Sequence, residues 1–152
     1  ELPDTRFVIL GEGELRASLE HQIKHLGLER HVVLGGFRTD VIGLLKSFDL
    51  FVMSSETEGL GTSILDAMAC GKPVIGTRTG GIPEAVADGE TGLLVPTHDE
   101  AALAQAIVKV LKDAALRNRL GVSGRQRAAE YFSVERMVNE TVRTYEQHLA
   151  VR

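Results

Sequence analysis

Five short apolar runs, separated by stretches of helical periodicity, constrain this chain more than any other feature. They read RFVILG at 6–11, HVVLGGF at 31–37, DLFVMSS at 49–55, PVIGT at 73–77 and GLLVP at 92–96. A strand with one wet face alternates apolar and polar residues. These runs are almost wholly apolar, the pattern of strands covered on both faces in a parallel sheet. Parallel neighbours need a crossover, and the intervening sequence supplies it. Leu15, Leu19, Ile23 and Leu26 mark one face of a helix that ends near Gly27. A second helix is expected over 39–48, a third from Thr62 to Cys70, where Gly71 and Pro73 stop it, and a short fourth in IPEAVAD at 82–88.

Beyond residue 96 the pattern is helical throughout. The segment THDEAALAQAIVKVLKD begins with a capping-box pattern, Thr97 to Glu100, and carries Leu103, Ile107, Val110 and Leu111. One or two helices follow over 114–132, and a last one from Ser133 aligns Val138, Val142, Tyr145 and Leu149. The fold predicted is α/β: a doubly wound, Rossmann-like parallel sheet with helices on both faces and a C-terminal helical extension. With 152 residues and no repeat, low-complexity tract or linker, a single domain over 1–152 is expected. Ligands of such sheets bind in the crevice outside the carboxyl ends of the strands.

Composition removes several function classes. A formal charge of −4 supplies no basic face for tracking phosphates, so nucleic acid is not an expected partner. Cys70 is the only cysteine, which excludes an internal disulfide and a cysteine metal cluster and fits a reducing, cytoplasmic setting. No apolar run approaches the ~18 residues of a membrane span. The opening ELPDTRFVIL is not a basic region followed by an apolar stretch, so it does not read as a secretion signal.

Chemistry concentrates where the third strand meets the third helix. Glu56 and Glu58 follow LFVMSS, and Gly59, Leu60 and Gly61 lead the backbone into the helix at Thr62. The first amides of that helix, about Gly61 to Ile64, have no helical acceptor and lie at the positive end of the dipole, which suits a phosphate without any lysine or arginine. Glu58 stands before the turn and Asp66 one turn into the helix. Two carboxylates so placed can accept from sugar hydroxyls on either side of a diphosphate. The same acids also favour a helix start by ~0.3–1 kcal/mol with no ligand at all.

The string EGLGTSILDAMACGKPVIGTRTGGIPEAVADGETGLLV, residues 58–95, resembles the donor-binding C-terminal half of the retaining GT-B glycosyltransferases of family 4. The resemblance extends through ELPDTRFVILGEGELRASLE, VVLGGFRTDVIGLLKSFDLFVMSSETEG and YFSVERMVNETVRTYEQHL, so it covers essentially the whole chain. In that family a Glu, seven residues and a second Glu form the signature; here the count is Glu58, Gly59 to Leu65, then Asp66. The resemblance implies that Glu58 bonds the donor sugar, that amides of Gly59, Leu60, Gly61 and Thr62 meet the diphosphate, and that Asp66 holds the ribose. Asp in place of Glu shortens the reach by one methylene, so the ribose contact is either direct, with a shifted nucleotide, or bridged by water. It also implies a UDP- or GDP-sugar as substrate, hexosyl transfer in cell-envelope polysaccharide synthesis, and neither cofactor nor metal. The absence of any Asp-x-Asp fits the last expectation.

Other residues have weaker claims. In GEGE at 11–14, Gly11 and Gly13 look like part of a dinucleotide fingerprint whose third glycine is replaced by Arg16, and the resemblance places both beside the donor. It places Phe37 and Arg38 beside the nucleotide base, although Arg38 reads more readily as a surface cation than as a specificity determinant. Gly80 and Gly81 read as a tight turn before a proline-started helix. Cys70 reads as a small buried residue.

Family members carry, ahead of the point where this chain starts, an acceptor-binding N-terminal domain and a strand–helix unit with an Arg and a Lys for the diphosphate. Their strand is the central one, between those at 6–11 and 49–55. The expectation is therefore a piece of a longer enzyme, inactive alone. Its open sheet edges would be satisfied by another segment, by rearranged pairing, or by a partner chain through dimerisation or strand exchange. Peripheral membrane association is expected only through that N-terminal domain. Two rivals stand beside this reading. One is a nicotinamide-dependent oxidoreductase, weakened by Arg16 and by Arg38 where an acid should follow the second strand. The other is a non-catalytic sugar-nucleotide-binding or interaction module.

Overall fold

The computed structural model describes residues 2–149. The chain divides into two compact units, residues 1–41 and 42–152. Among the described residues all strand pairing is parallel, in two sheets ordered β1-β2 and β3-β4-β5, with helices in the crossovers, so the architecture is the mixed α/β one expected.

The first unit holds β1 (Phe7–Leu10), α1 (Arg16–His25) and β2 (Val32–Gly36). Its register runs from Phe7 opposite Val32 to Ile9 opposite Leu34, then shifts so that Leu10 faces Gly36. Gly35 allows this, because a Cβ there would come within 2.8 Å of the Leu10 side chain. The helix stops where expected, with Leu26 as C-cap and Gly27 in the left-handed region at φ 65°. Its apolar face is not packed as expected, however. No residue of α1 is buried, and Leu15 and Leu26 flank it at 70% and 56% exposure.

The second unit contains α2 (Val41–Ser47), whose first residue is the last of the other unit, β3 (Phe51–Met53), α3 (Thr62–Ala69), β4 (Val74–Thr77), α4 (Ile82–Ala85) and β5 (Leu93–Val95). Three helices follow: α5 (Glu100–Lys112), α6 (Ala114–Tyr131) and α7 (Val134–Leu149). β4 lies between its two partners and is buried along its whole length. Ile75, Val95, Ala106, Val110 and Leu120 form the centre of the core, with Leu50, Val52, Leu103 and Ile107 around them. Each fully buried aliphatic side chain contributes about 1.5–3 kcal/mol.

Close approach by α6 depends on glycine. A Cβ on Gly121 would overlap the Gly71 carbonyl, and one on Gly124 would stand 3.2 Å from the Thr91 carbonyl. α5 begins two residues later than a Thr97 cap would place it. Asp99 is the N-cap, its carboxylate accepting from the Ala102 amide at 2.8 Å, so the expected capping box does not form. The reason is local: His98 takes a left-handed turn at φ 57° and presents Asp99, a stronger acceptor, to the first turn. α7 is strongly amphipathic yet buries no residue, leaving Val134, Met137, Val138, Val142, Tyr145 and Leu149 exposed.

Candidate functional site

At the carboxyl end of β3 the chain runs from Ser54 to Gly61 and enters α3. Gly61 is the N-cap, in the left-handed region at φ 73° and ψ 57°, a conformation glycine adopts without penalty. A glycine cap brings no side-chain acceptor, so the first-turn donors are not consumed as a serine or aspartate would consume them. The Ile64 amide donates to the Gly61 carbonyl at 2.8 Å. Those of Thr62 and Ser63 come before it and lack a partner within the helix. Thr62 and Ser63 are exposed residues at the positive end of α3.

Glu58 is half-buried just ahead of this turn. Its Oε2 accepts from the Ser55 hydroxyl at 3.3 Å and its Oε1 from the Gly59 amide at 3.1 Å. Its stem lies over the helix start, since a Cβ on Gly61 would stand 3.5 Å from Glu58 Cγ. A carboxylate offers about four lone-pair positions, so two remain for hydroxyl donors. The Gly59 amide, expected to face a diphosphate, is thus engaged by Glu58. α3 buries Ile64, Ala67 and Met68, while Thr62 and Asp66, four residues apart, share the outward side. Leu60 is 39% exposed at the same turn.

The remaining expected residues belong to the first unit, at the carboxyl ends of β1 and β2. Gly11, at φ 114°, donates its amide to the Gly36 carbonyl at 2.8 Å. The Gly13 carbonyl accepts from the Arg16 amide at 3.2 Å, which starts α1. Phe37 is 71% exposed. Arg38 makes a two-pronged bond to Asp40, Nε to Oδ1 at 2.8 Å and Nη2 to Oδ2 at 2.7 Å. That hydrogen bonding raises the Arg38 guanidinium above its ordinary value and holds the Asp40 carboxyl below the usual carboxylate range. Both groups are exposed, so the pair adds little stability.

Two features near Glu58 went unread in the sequence. A cavity of about 240 Å³ opens at the carboxyl ends of β3 to β5, lined by Ser54, Glu56, Thr77, His98 and Asp99 among others. Glu56 approaches His98 there, Oε1 to Nδ1 at 3.6 Å. The second feature is a set of contacts from residues 77–81 onto the Glu58 loop. The signal for it was two threonines and two glycines, at 77 and 79–81, at and just beyond the carboxyl end of β4, whose last residue is Thr77.

An open α/β sheet with acids and bare amides at a strand's carboxyl end defines a nucleotide- or phosphate-binding class of fold. Comparison with known proteins narrows it: residues 1–127 match the family model described as glycosyl transferases group 1, and the chain belongs to that family. It is 36% identical over 137 residues, 90% of this chain, to N-acetyl-alpha-D-glucosaminyl L-malate synthase of Bacillus anthracis, of which it covers 36%. It is 38% identical over 134 residues, 88% of this chain, to the lipopolysaccharide core biosynthesis glycosyltransferase LpsE of Rhizobium meliloti, of which it covers 39%. Among solved structures, HepE of Anabaena in complex with UDP superposes with a TM-score of 0.90 at 28% identity, over 95% of this chain and 42% of that one. The C-terminal domain of LpcC, a glycosyl transferase group 1 family protein from Francisella tularensis, gives 0.81 at 27% identity, over 88% of this chain and 73% of that one. The chain therefore spans well under half the length of the curated relatives named here. No helix among the described residues is long and apolar enough to cross a membrane.

Proposed function

We propose that this chain is the C-terminal, donor-binding part of a retaining glycosyltransferase of family 4 that takes a hexose from a nucleoside diphosphate. The observation that carries the proposal is the Glu58 carboxylate, half-buried over a glycine-capped helix start with lone pairs to spare. Glu58 accepts from a sugar hydroxyl, and the Thr62 and Ser63 amides, with those of Leu60 and Gly61, hold the diphosphate. Asp66 bonds the ribose. Gly11, Gly13, Phe37 and Arg38 are assigned to the nucleotide by resemblance to the family. In the whole enzyme the amides stabilise the departing diphosphate while the acceptor attacks from the leaving-group face. No metal or other cofactor is assigned.

Solved structures of HepE hold UDP and UDP-glucose, which supports a uridine nucleotide. A 36% identical relative from Mycolicibacterium smegmatis is described as GDP-mannose-dependent, so guanosine is the other base to test. Names such as lipopolysaccharide core biosynthesis glycosyltransferase support a role in cell-envelope polysaccharides, and a cytoplasmic setting is proposed with it. An N-terminal acceptor domain in the same polypeptide is the proposed partner, and any peripheral membrane contact belongs to that domain. Among the described residues β1, β2, β3 and β5 each pair along one edge, so open edges remain to which a further strand of the longer enzyme would add.

Alone, the 152 residues should bind nucleotide weakly and transfer no sugar. In the longer enzyme, Glu58→Gln should lower kcat/KM by roughly 10- to 150-fold, the loss of a hydrogen bond to a charged group worth about 1.5–3 kcal/mol. Unchanged turnover in that variant would favour a non-catalytic binding module. Bound NAD or NADP in the purified protein would favour the oxidoreductase.

A further inference from the structure

The loop that carries Glu58 is gripped from one side by a single segment. Thr77 Oγ1 donates to the Ser55 carbonyl at 2.6 Å, Thr79 Oγ1 to the Glu56 carbonyl at 2.9 Å, and the Gly81 amide to the Gly59 carbonyl at 2.6 Å. Between these bonds Gly80 lies so close that a Cβ would overlap the Glu58 carbonyl. Four of the five carbonyls over 55–59 therefore meet residues 77–81. Because each peptide is planar, fixing its carbonyl fixes the direction of the amide on its other side.

A tight turn alone does not account for both glycines. Gly80, at φ 50°, needs glycine for its backbone. Gly81 does not: its φ of −82° and ψ of 0° are open to ordinary residues. What excludes a side chain at Gly81 is contact, since a Cβ would overlap the Gly59 carbonyl and stand 3.1 Å from Leu60 Cα. The segment is itself anchored. The Gly81 carbonyl accepts from the Glu84 and Ala85 amides at 3.0 and 3.2 Å, and Ile82 and Ala85 of α4 are fully buried.

We infer that Thr79, Gly80 and Gly81 are positioning residues for Glu58: they orient the 55–59 peptides so that its carboxylate is presented to a sugar hydroxyl in one fixed geometry. The inference rests on reading residues 58–66 as the sugar-nucleotide site. The role assigned to all three runs through the 55–59 backbone, not through a contact of their own with the sugar nucleotide. Thr79→Val keeps the shape of the side chain and removes only the hydroxyl, Thr79→Ser keeps the hydroxyl, and Gly81→Ala pushes directly on the Gly59 carbonyl.

The test measures two quantities on the whole chain: NMR order parameters of the amides at 57–61, and the Kd for UDP-glucose. Thr79→Val should lower the order parameters from about 0.85 toward about 0.6. It should also weaken UDP-glucose binding roughly tenfold, a loss of about 1.4 kcal/mol. Thr79→Ser should restore both, and a folded Gly81→Ala should exceed Thr79→Val in both. Wild-type order parameters in Thr79→Val overturn the inference, and so does a disordered loop that binds UDP-glucose as tightly as before. A loss of affinity that Thr79→Ser does not rescue also overturns it. If the wild-type chain binds no nucleotide sugar, the functional reading fails, and the order parameters alone decide the positioning.

Discussion

β1 and β4 are written in the same apolar alphabet and live in different surroundings. In β4, Val74 and Ile75 are fully buried between two partner strands and the helices around them. In β1, Phe7, Val8 and Ile9 are 43%, 39% and 42% exposed, and the strand pairs along one edge. An apolar run therefore records the environment a strand is built for, and the second unit supplies that environment within its own residues. The first unit leaves it open, with Val33 of β2 also 51% exposed.

This contrast is tested most strongly by truncating one residue from each strand. Ile75→Ala should cost about 2–5 kcal/mol in denaturant unfolding, the usual range for deleting a buried aliphatic side chain. Phe7→Ala should cost less than ~1 kcal/mol, because the ring it removes is already half in water. Equal losses would break the contrast and show that β1 is covered in solution.

A smaller effect separates the observed helix cap of the second unit from the one its sequence suggested. Asp99→Ala should lower stability by about 1 kcal/mol in a thermal melt, whereas Thr97→Ala should change it little. The reverse order would restore the capping box.

The smallest effect lies in the first unit. Asp40 has its carboxyl lowered by Arg38, so what the pair contributes is present above the ordinary carboxylate range and is lost as pH falls through the lowered value. Arg38→Ala should return the Asp40 titration, followed by NMR, upward to that ordinary range, with no measurable change in the unfolding midpoint at neutral pH. An unshifted Asp40 titration would show that the fork is not formed.

Legibility followed the same divide. Strand order in the chain, the stop of α1 at Gly27 and that of α3 at Gly71 were readable, because periodicity and left-handed glycines act within a few residues. α6 was harder to delimit: it is a single helix, and it packs through Gly121, Gly124 and Ala128, whose small side chains carry almost no apolar signal. Of the candidate site, the acids and the glycine turn were legible as residue types. Their support was not, since the Thr77 and Thr79 hydroxyls reach carbonyls 22 and 23 residues away and no local pattern records such a bond. The cap at Asp99 was missed because the left-handed turn at His98 has no glycine to announce it.

The central claim is that the turn between Glu58 and Asp66 receives a nucleotide sugar, and its most direct test is an NMR titration of the labelled chain with UDP-glucose and GDP-mannose. The account predicts that one of them shifts the amides of Gly59 to Ile64 together, and that Glu58→Gln weakens the response while leaving the amides of β4 in place. Shifts confined to the cavity beside Ser54 and His98, or no response to either sugar nucleotide, would contradict it.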